Sequence, residues 1–414
     1  MKRLFYGWKM VAAASGLQFL QAGLMMNSFG AYVAILSEER GWSKTALSGA
    51  AALHQMETAL LGPVLGWLLD RFGPRFFVRL GVTVFGLGLI ALSRIETLVG
   101  FYAAFVVIAL GVGCCGFFPL NVALIHWFER WRARAISTLS IGLAFGGIVT
   151  PLVAWSLQTY GWRATAMASG FIAIVVGFPL ASMIRNRPSD MGEVVDGIRE
   201  DRPSQMKFME KDHDGTRDFT AREALRTRAF WLISFGHAFA LFIVQAVIVH
   251  AIAHLKEGLG FTIAEGALVF TLVTVMQIAG VGIGWAIGDR YDKRLISAAC
   301  MFGHASGLLL LTYAAFAPLP MVIAFAVLHG TAWGLRGPFM QAIRADYFGR
   351  SAIGMILGLS FMVLMIGQIG GPMIAGLLAD ATGNYKAGFT LLAVLAGLGS
   401  LFFLAARKPP RPLK

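Results

Sequence analysis

Charge and cysteine are what this chain is short of. Charged residues make up 14% of its 414 residues, against 57% hydrophobic. No water-soluble domain of that length hides so much apolar surface, so lipid must be the solvent for much of the chain. The three cysteines, Cys114, Cys115 and Cys300, are too few and too scattered for a disulfide framework, and their spacing fits no metal site. They read as small packing residues. Acidic residues are the scarcer sign, 22 against 35 Lys and Arg. A nucleic-acid partner would want the basic excess on one folded face, whereas here it is dealt out between apolar runs. No nucleophile–base arrangement or metal cluster is visible, which argues against an enzyme and against a bound cofactor.

What is present is a series of apolar segments, each near the ~20 residues a bilayer crossing needs. Twelve can be read, at 8–36, 44–69, 76–95, 99–128, 133–159, 163–185, 229–256, 262–287, 294–317, 320–347, 351–381 and 386–406. Lys2, Arg3, Arg71, Arg75, Arg130, Arg132, Arg134, Arg290, Lys293, Arg294, Arg350, Arg407 and Lys408 fall on one side. The other keeps Arg40, Lys44, Arg94, Arg163, Lys256 and Lys386. The positive-inside rule then puts both termini in the cytoplasm. The expected placement is a multi-pass protein of a bacterial inner membrane. The apolar run after Met1-Lys2-Arg3 is too long for a signal-peptide core and reads as the first span.

The chain also repeats itself. Asp70, Arg71 and Arg75 in GWLLDRFGPR match Asp289, Arg290 and Arg294 in GWAIGDRYDKR, a shift of 219 residues that also carries Ala34 to Ala253, Gly41 to Gly260 and Pro119 to Pro338. Matches spread that widely indicate two copies of one unit. The fold expected is an all-α membrane protein of twelve transmembrane helices in two six-helix pseudo-repeats, with a site between the halves. The halves are 1–185 and 229–414. Residues 186–228, densely charged in both signs, read as a cytoplasmic linker, with a capping box at Thr220 and Glu223. Gly142, Gly146, Gly147 and Pro151 in the fifth span have counterparts in Gly367, Gly370, Gly371 and Pro372 of the eleventh, where small residues allow close helix packing.

GWLLDRFGPR resembles the signature loop of the major facilitator superfamily, and GDRYDKR its degenerate second copy. Tyr6-Gly7-Trp8, Arg40-Gly41-Trp42-Ser43, the run RPSDMG at 187–192 and EALRTRAFW resemble the monocarboxylate and oxalate–formate porter branch. Two features depart from that branch: its arginine in the eighth helix is replaced by Gln277, and the oxalate exchangers' lysine in the eleventh by Gln368. The branch name therefore does not carry a substrate with it. The resemblance implies that the first, fourth, seventh and tenth helices line a central cavity. It also implies that the Asp-Arg loops form a cytoplasmic gate through Asp70, Arg71, Arg75, Asp289, Arg290 and Arg294.

Arg336, deep in the tenth span, is the leading substrate-binding candidate, because a guanidinium within a membrane needs a partner and its fork matches a carboxylate. Its alternative is a structural ion pair with Glu57. His329, Trp333, Arg336 and Met340 share one helical stripe, as do Gln18, Gln21, Met25 and Ser28 of the first span. Asn121, His237, Gln245 and Gln341 add hydrogen-bonding capacity. Glu57 with His54, three residues apart, is the candidate proton-coupling pair. His250 and His254 stand one turn apart but have no third metal ligand nearby in sequence.

The function expected is secondary transport of small organic anions, monocarboxylates first, by alternating access with proton coupling or anion exchange. Expected partners are the anion, protons and the bilayer, with no nucleic acid, for a monomer. Export of drugs or hydrophobic metabolites is the alternative, weakened because GLAFGGIVTP lacks the Gly-Pro arrangement of the superfamily's antiporters. A receptor on a transporter fold is the reading from another class.

Overall fold

The computed structural model describes residues 5–198 and 216–413; some side chains within helices, that of His54 among them, lie outside the described residues. The chain divides into two compact units, Met1–Thr216 with Arg350–Gly358, and Arg217–Gly349 with Leu359–Lys414.

In the first unit, α1 (Tyr6–Gln21) runs through a π turn toward α2 (Phe29–Arg40), followed by α3 (Lys44–Phe72) and α4 (Pro74–Leu92). Next come α5 (Leu98–Cys115), α6 (Phe117–Trp127), α7 (Arg132–Phe145) and α8 (Thr150–Met183). The second unit holds the short α9 (Ala221–Leu225), then α10 (Arg228–Leu259), α11 (Ile263–Ile287), α12 (Lys293–Thr312) and α13 (Pro318–Phe348). It takes in most of α14 (Ile353–Thr382) and all of α15 (Lys386–Ala405).

Nine described helical stretches are long and apolar enough to cross a bilayer. One of them, Arg132–Met183, has 52 residues, more than twice the ~20 a crossing needs, and it breaks at Gly161, where φ is 78°. Its two arms, together with the helices over 6–40 and 44–72, bring the spans to twelve in two repeats.

The internal repeat has a local physical basis. α2 ends on Gly41 (φ 67°) and α10 on Gly260 (φ 74°), both left-handed, a conformation that costs an L-residue about 1–2 kcal/mol. Two residues on, a hydroxyl restarts the helix: Ser43 Oγ accepts the Ala46 N–H at 3.1 Å, and Thr262 Oγ1 accepts the Glu265 N–H at 3.2 Å. A helix stop followed by a helix start is thus written twice.

The glycines of the fifth and eleventh spans allow close contact, as their spacing suggests. A β-carbon on Gly142 would stand 2.2 Å from the Ser15 carbonyl oxygen of α1, and one on Gly371 2.2 Å from that of Phe242 in α10. Near the far ends of α2 and α4, Arg40 and Arg163 donate to the Glu96 carboxylate at 2.8 and 2.6 Å. Their hydrogen bonds hold Glu96 below the usual carboxylate range, and the Arg163 guanidinium lies 4.3 Å from the Trp162 ring centroid.

The charged segment read as a linker between the repeats is folded at both ends; its middle, 199–215, lies outside the described residues. After α8, the buried Asp196 carboxylate accepts the N–H groups of Glu129 and Arg130 at the turn after α6, the latter at 2.8 Å. Glu193 accepts the Tyr6 N–H. Before α10 the Thr220–Glu223 capping box is formed, and Arg217 pairs with Glu223 at 2.6 Å. Arg217, followed by Thr220, pushes the Glu223 carboxyl down to about 2.

Candidate substrate site

α13 is an apolar helix started by Pro318 at its first turn, where the missing N–H is no loss. It buries two arginines. Arg336 is 2% exposed and Arg344 1% exposed. Arg336 Nη1 reaches Met340 Sδ at 3.6 Å, and its Nε has no hydrogen-bond partner among the described residues. No described carboxylate of its own unit forms an ion pair with it. Arg344 is more fully held: Nε donates to the Ser360 hydroxyl at 2.9 Å, Nη1 to the Met340 carbonyl, and Nη2 meets His237 Nδ1 at 3.5 Å. Ser360 in turn lies 2.5 Å from the Ser234 hydroxyl of α10. Buried charge without a counter-charge is unfavourable by several kcal/mol in order of magnitude. Two such cations on one helix would each gain from an anion placed against them.

The expected stripe on α13 is brought together, but one end turns inward. His329 packs against His304 of α12, Nδ1 to Nδ1 at 3.1 Å, with the rings edge to face at 4.7 Å. The Nε2 atom of each lacks a partner among the described residues. Trp333 meets the His329 ring edge-on at 6.0 Å. Gln341 is buried with its Oε1 unpartnered among the described residues. His237 belongs with Arg344, whereas Gln245 is half-buried farther along α10.

In the first unit, the Gln21 amide is largely committed to packing. It donates to Cys115 Sγ at 2.7 Å and accepts from Gln18 at 3.4 Å. Asn121 is 1% exposed, and both its amide atoms lack partners among the described residues. Glu57 is half-buried on α3 with Oε2 unpartnered in the same sense. Its companion His54 has a side chain outside the described residues. His250 and His254 each bond a backbone carbonyl, of Pro372 and Leu311, at 3.0 Å. Those bonds occupy one nitrogen of each ring and aim the two rings at different helices.

The Asp-Arg loops differ from each other. Asp70 accepts the N–H groups of Gly354 and Met355, the first turn of α14, at 2.8 Å each. Arg71 instead stacks over Trp67 at 5.3 Å, and the Arg75 N–H donates to Asn186. In the second copy the helix cap belongs to Asp292, which the repeat did not single out: it accepts the Arg294 N–H at 2.8 Å. Asp289 and Arg290 lie in the turn after α11, and the Arg294 side chain reaches Asp292 at 3.6 Å.

Sequence reasoning missed Arg344, His304 and Ser360. Arg344 had a signal, standing eight residues after Arg336 on the same helix; the other two had none.

The family model of the Major Facilitator Superfamily matches residues 14–252 and again 230–414. Bovine (Bos taurus) monocarboxylate transporter 13 is 26% identical over 412 residues, covering 96% of this chain and 89% of its own. The glycerol-3-phosphate transporter of Bacillus subtilis is 25% identical over 387 residues, covering 89% and 85%. Among solved structures, the proton:xylose symporter XylE superposes with a TM-score of 0.77 at 15% identity, over 97% of this chain and 96% of that one. With twelve spans in two repeats, a signature loop and a model match to each half, this multi-pass membrane protein belongs to the Major Facilitator Superfamily of transporters and resembles its monocarboxylate branch.

Proposed function

We propose that this protein is a secondary carrier of small organic anions, working by alternating access with Arg336 as the anion-binding group. The observation that carries the reading is a guanidinium 2% exposed, with Nε free among the described residues and no ion pair inside its own unit. A carboxylate bound to its fork replaces lost hydration with charge-assisted hydrogen bonds. The similar proteins named above include carriers of monocarboxylates and of glycerol 3-phosphate, substrates that share negative charge and little else. Gln341, buried on the same helix with its Oε1 unpartnered among the described residues, supplies a polar contact to the rest of the molecule.

Glu57 is the proposed proton carrier, and Asp70 on the first turn of α14 the contact made and broken at the cytoplasmic gate. The distribution of basic loops supports a cytoplasmic side for both termini. The test is uptake of a labelled carboxylate into proteoliposomes. Arg336→Lys keeps the charge but loses the planar fork, and uptake is expected to fall by about tenfold or more, the equivalent of one good hydrogen bond. Uptake unchanged in a properly folded Arg336→Lys, or competition by lipophilic cations rather than by carboxylates, overturns the assignment.

A further inference from the structure

Arg344 is a second enclosed guanidinium that the reading above leaves unused. It stands eight residues beyond Arg336 on α13, about 12 Å along the helix axis, yet the two heads lean toward each other. Arg336 reaches forward to the Met340 thioether at 3.6 Å, and Arg344 reaches back to the Met340 carbonyl. Met340 therefore lies between two cationic groups. His237 stands 3.5 Å from Arg344. Neither cation has an ion pair among the described residues of its unit.

The surroundings of Arg344 are neutral. Ser360, the Met340 carbonyl and His237 satisfy hydrogen-bond geometry without cancelling charge. Each enclosed guanidinium forgoes hydration with no counter-charge to replace it. A single carboxylate neutralises one and leaves the other. The Met340 thioether against Arg336 is unbranched and adaptable, a side chain that a ligand can move aside.

We infer that the site on α13 takes a compact dianion, a short-chain acid with a second carboxylate or a sulfonate, one anionic group on Arg336 and the other on Arg344. This rests on the anion-carrier reading and narrows it to a substrate class.

The test compares each dianion with an analogue of the same length and one charge fewer, by equilibrium binding to the purified full chain at neutral pH. The pairs are succinate with succinamate, malonate with malonamate, and sulfoacetate with sulfoacetamide. At least one dianion is expected to bind about tenfold or more tighter than its analogue, the effect of one further charge-assisted hydrogen bond. In Arg344→Gln that ratio should fall to about one. Arg344 also ties α13 to α10 and α14, so if Arg344→Gln does not fold, the ratio for the unaltered chain decides alone. Should monoanions bind while no dianion gains over its partner, or a folded Arg344→Gln keep the ratio, this inference is overturned and the carrier reading stands. If no member of the panel binds, both fall.

Discussion

The Asp70 carboxylate closes the amino terminus of α14, with Oδ1 taking the Gly354 N–H at 2.8 Å and Oδ2 that of Met355. Those two N–H groups belong to the helix's first turn, where they have no partner within the helix and where the helix dipole favours negative charge. Asp70→Asn keeps one acceptor and loses the charge, so about 1 kcal/mol of stabilisation should go. Thermal unfolding checks this directly. If Asp70 is also the gate contact, uptake should fall in parallel, and a variant with normal melting and normal uptake would remove Asp70 from both roles.

Glu57→Gln separates the two modes of coupling. The neutral amide cannot carry a proton, so uptake driven by a pH gradient should be lost while exchange of internal for external anion continues. Loss of both, together with a lowered melting temperature, would instead mark Glu57 as a counter-ion needed for folding.

Gly334 and Gly337 sit one turn apart on α13 and should respond oppositely to the same change. A β-carbon on Gly334 would lie 1.8 Å from the Gln277 carbonyl oxygen, whereas on Gly337 it would meet nothing within 4 Å. Gly334→Ala should destabilise by about 1–3 kcal/mol or more through overpacking, and Gly337→Ala should be neutral or stabilise by up to about 1 kcal/mol through helix propensity. Melting temperatures of the two purified variants decide between them.

Outside the membrane, Glu223 sets an acid limit. Its carboxyl is pushed down to about 2 by Arg217 first and the Thr220 bonds next. A group whose pKa drops on folding stabilises fully above its unfolded value, about 4.3 for Glu, and loses that contribution as pH falls toward 2. Glu223→Gln should therefore be less stable than the parent at pH 7. The gap should close between about pH 4 and pH 2, as seen in acid-unfolding curves of the two proteins.

How much of this was written in the sequence depends on the range over which each feature acts. Arg336 was legible because a charge within an apolar run is anomalous by itself. Arg344 carried a weaker signal, its place eight residues after Arg336, because near the end of a span a long cation reads as one that snorkels to water; the fold shows it drawn back to Met340. The His304–His329 pair needed the register between α12 and α13, which no single segment encodes. The repeat identified Asp289 as the twin of Asp70, yet GWAIGD holds one residue more than GWLLD. Asp70 consequently remains inside α3, while Asp289 falls past the end of α11 and Asp292 takes up the cap. Gly41 and Gly260 matched as letters, and the hydroxyl caps two residues later completed the pairing.

Arg336 cannot travel alone. Its helix meets α11 at three successive glycine–carbonyl approaches, Gly330 against Val273, Gly334 against Gln277 and Gly280 against Thr331, with β-carbon positions 1.8–2.4 Å from the facing oxygens. Backbones meshed this tightly have no slack for one helix to slide past the other. A displacement of the helix that carries Arg336 must take α11 with it and reach the Asp289–Arg290 turn at its tip, so the backbone at Arg336 and that turn share a single rigid lever.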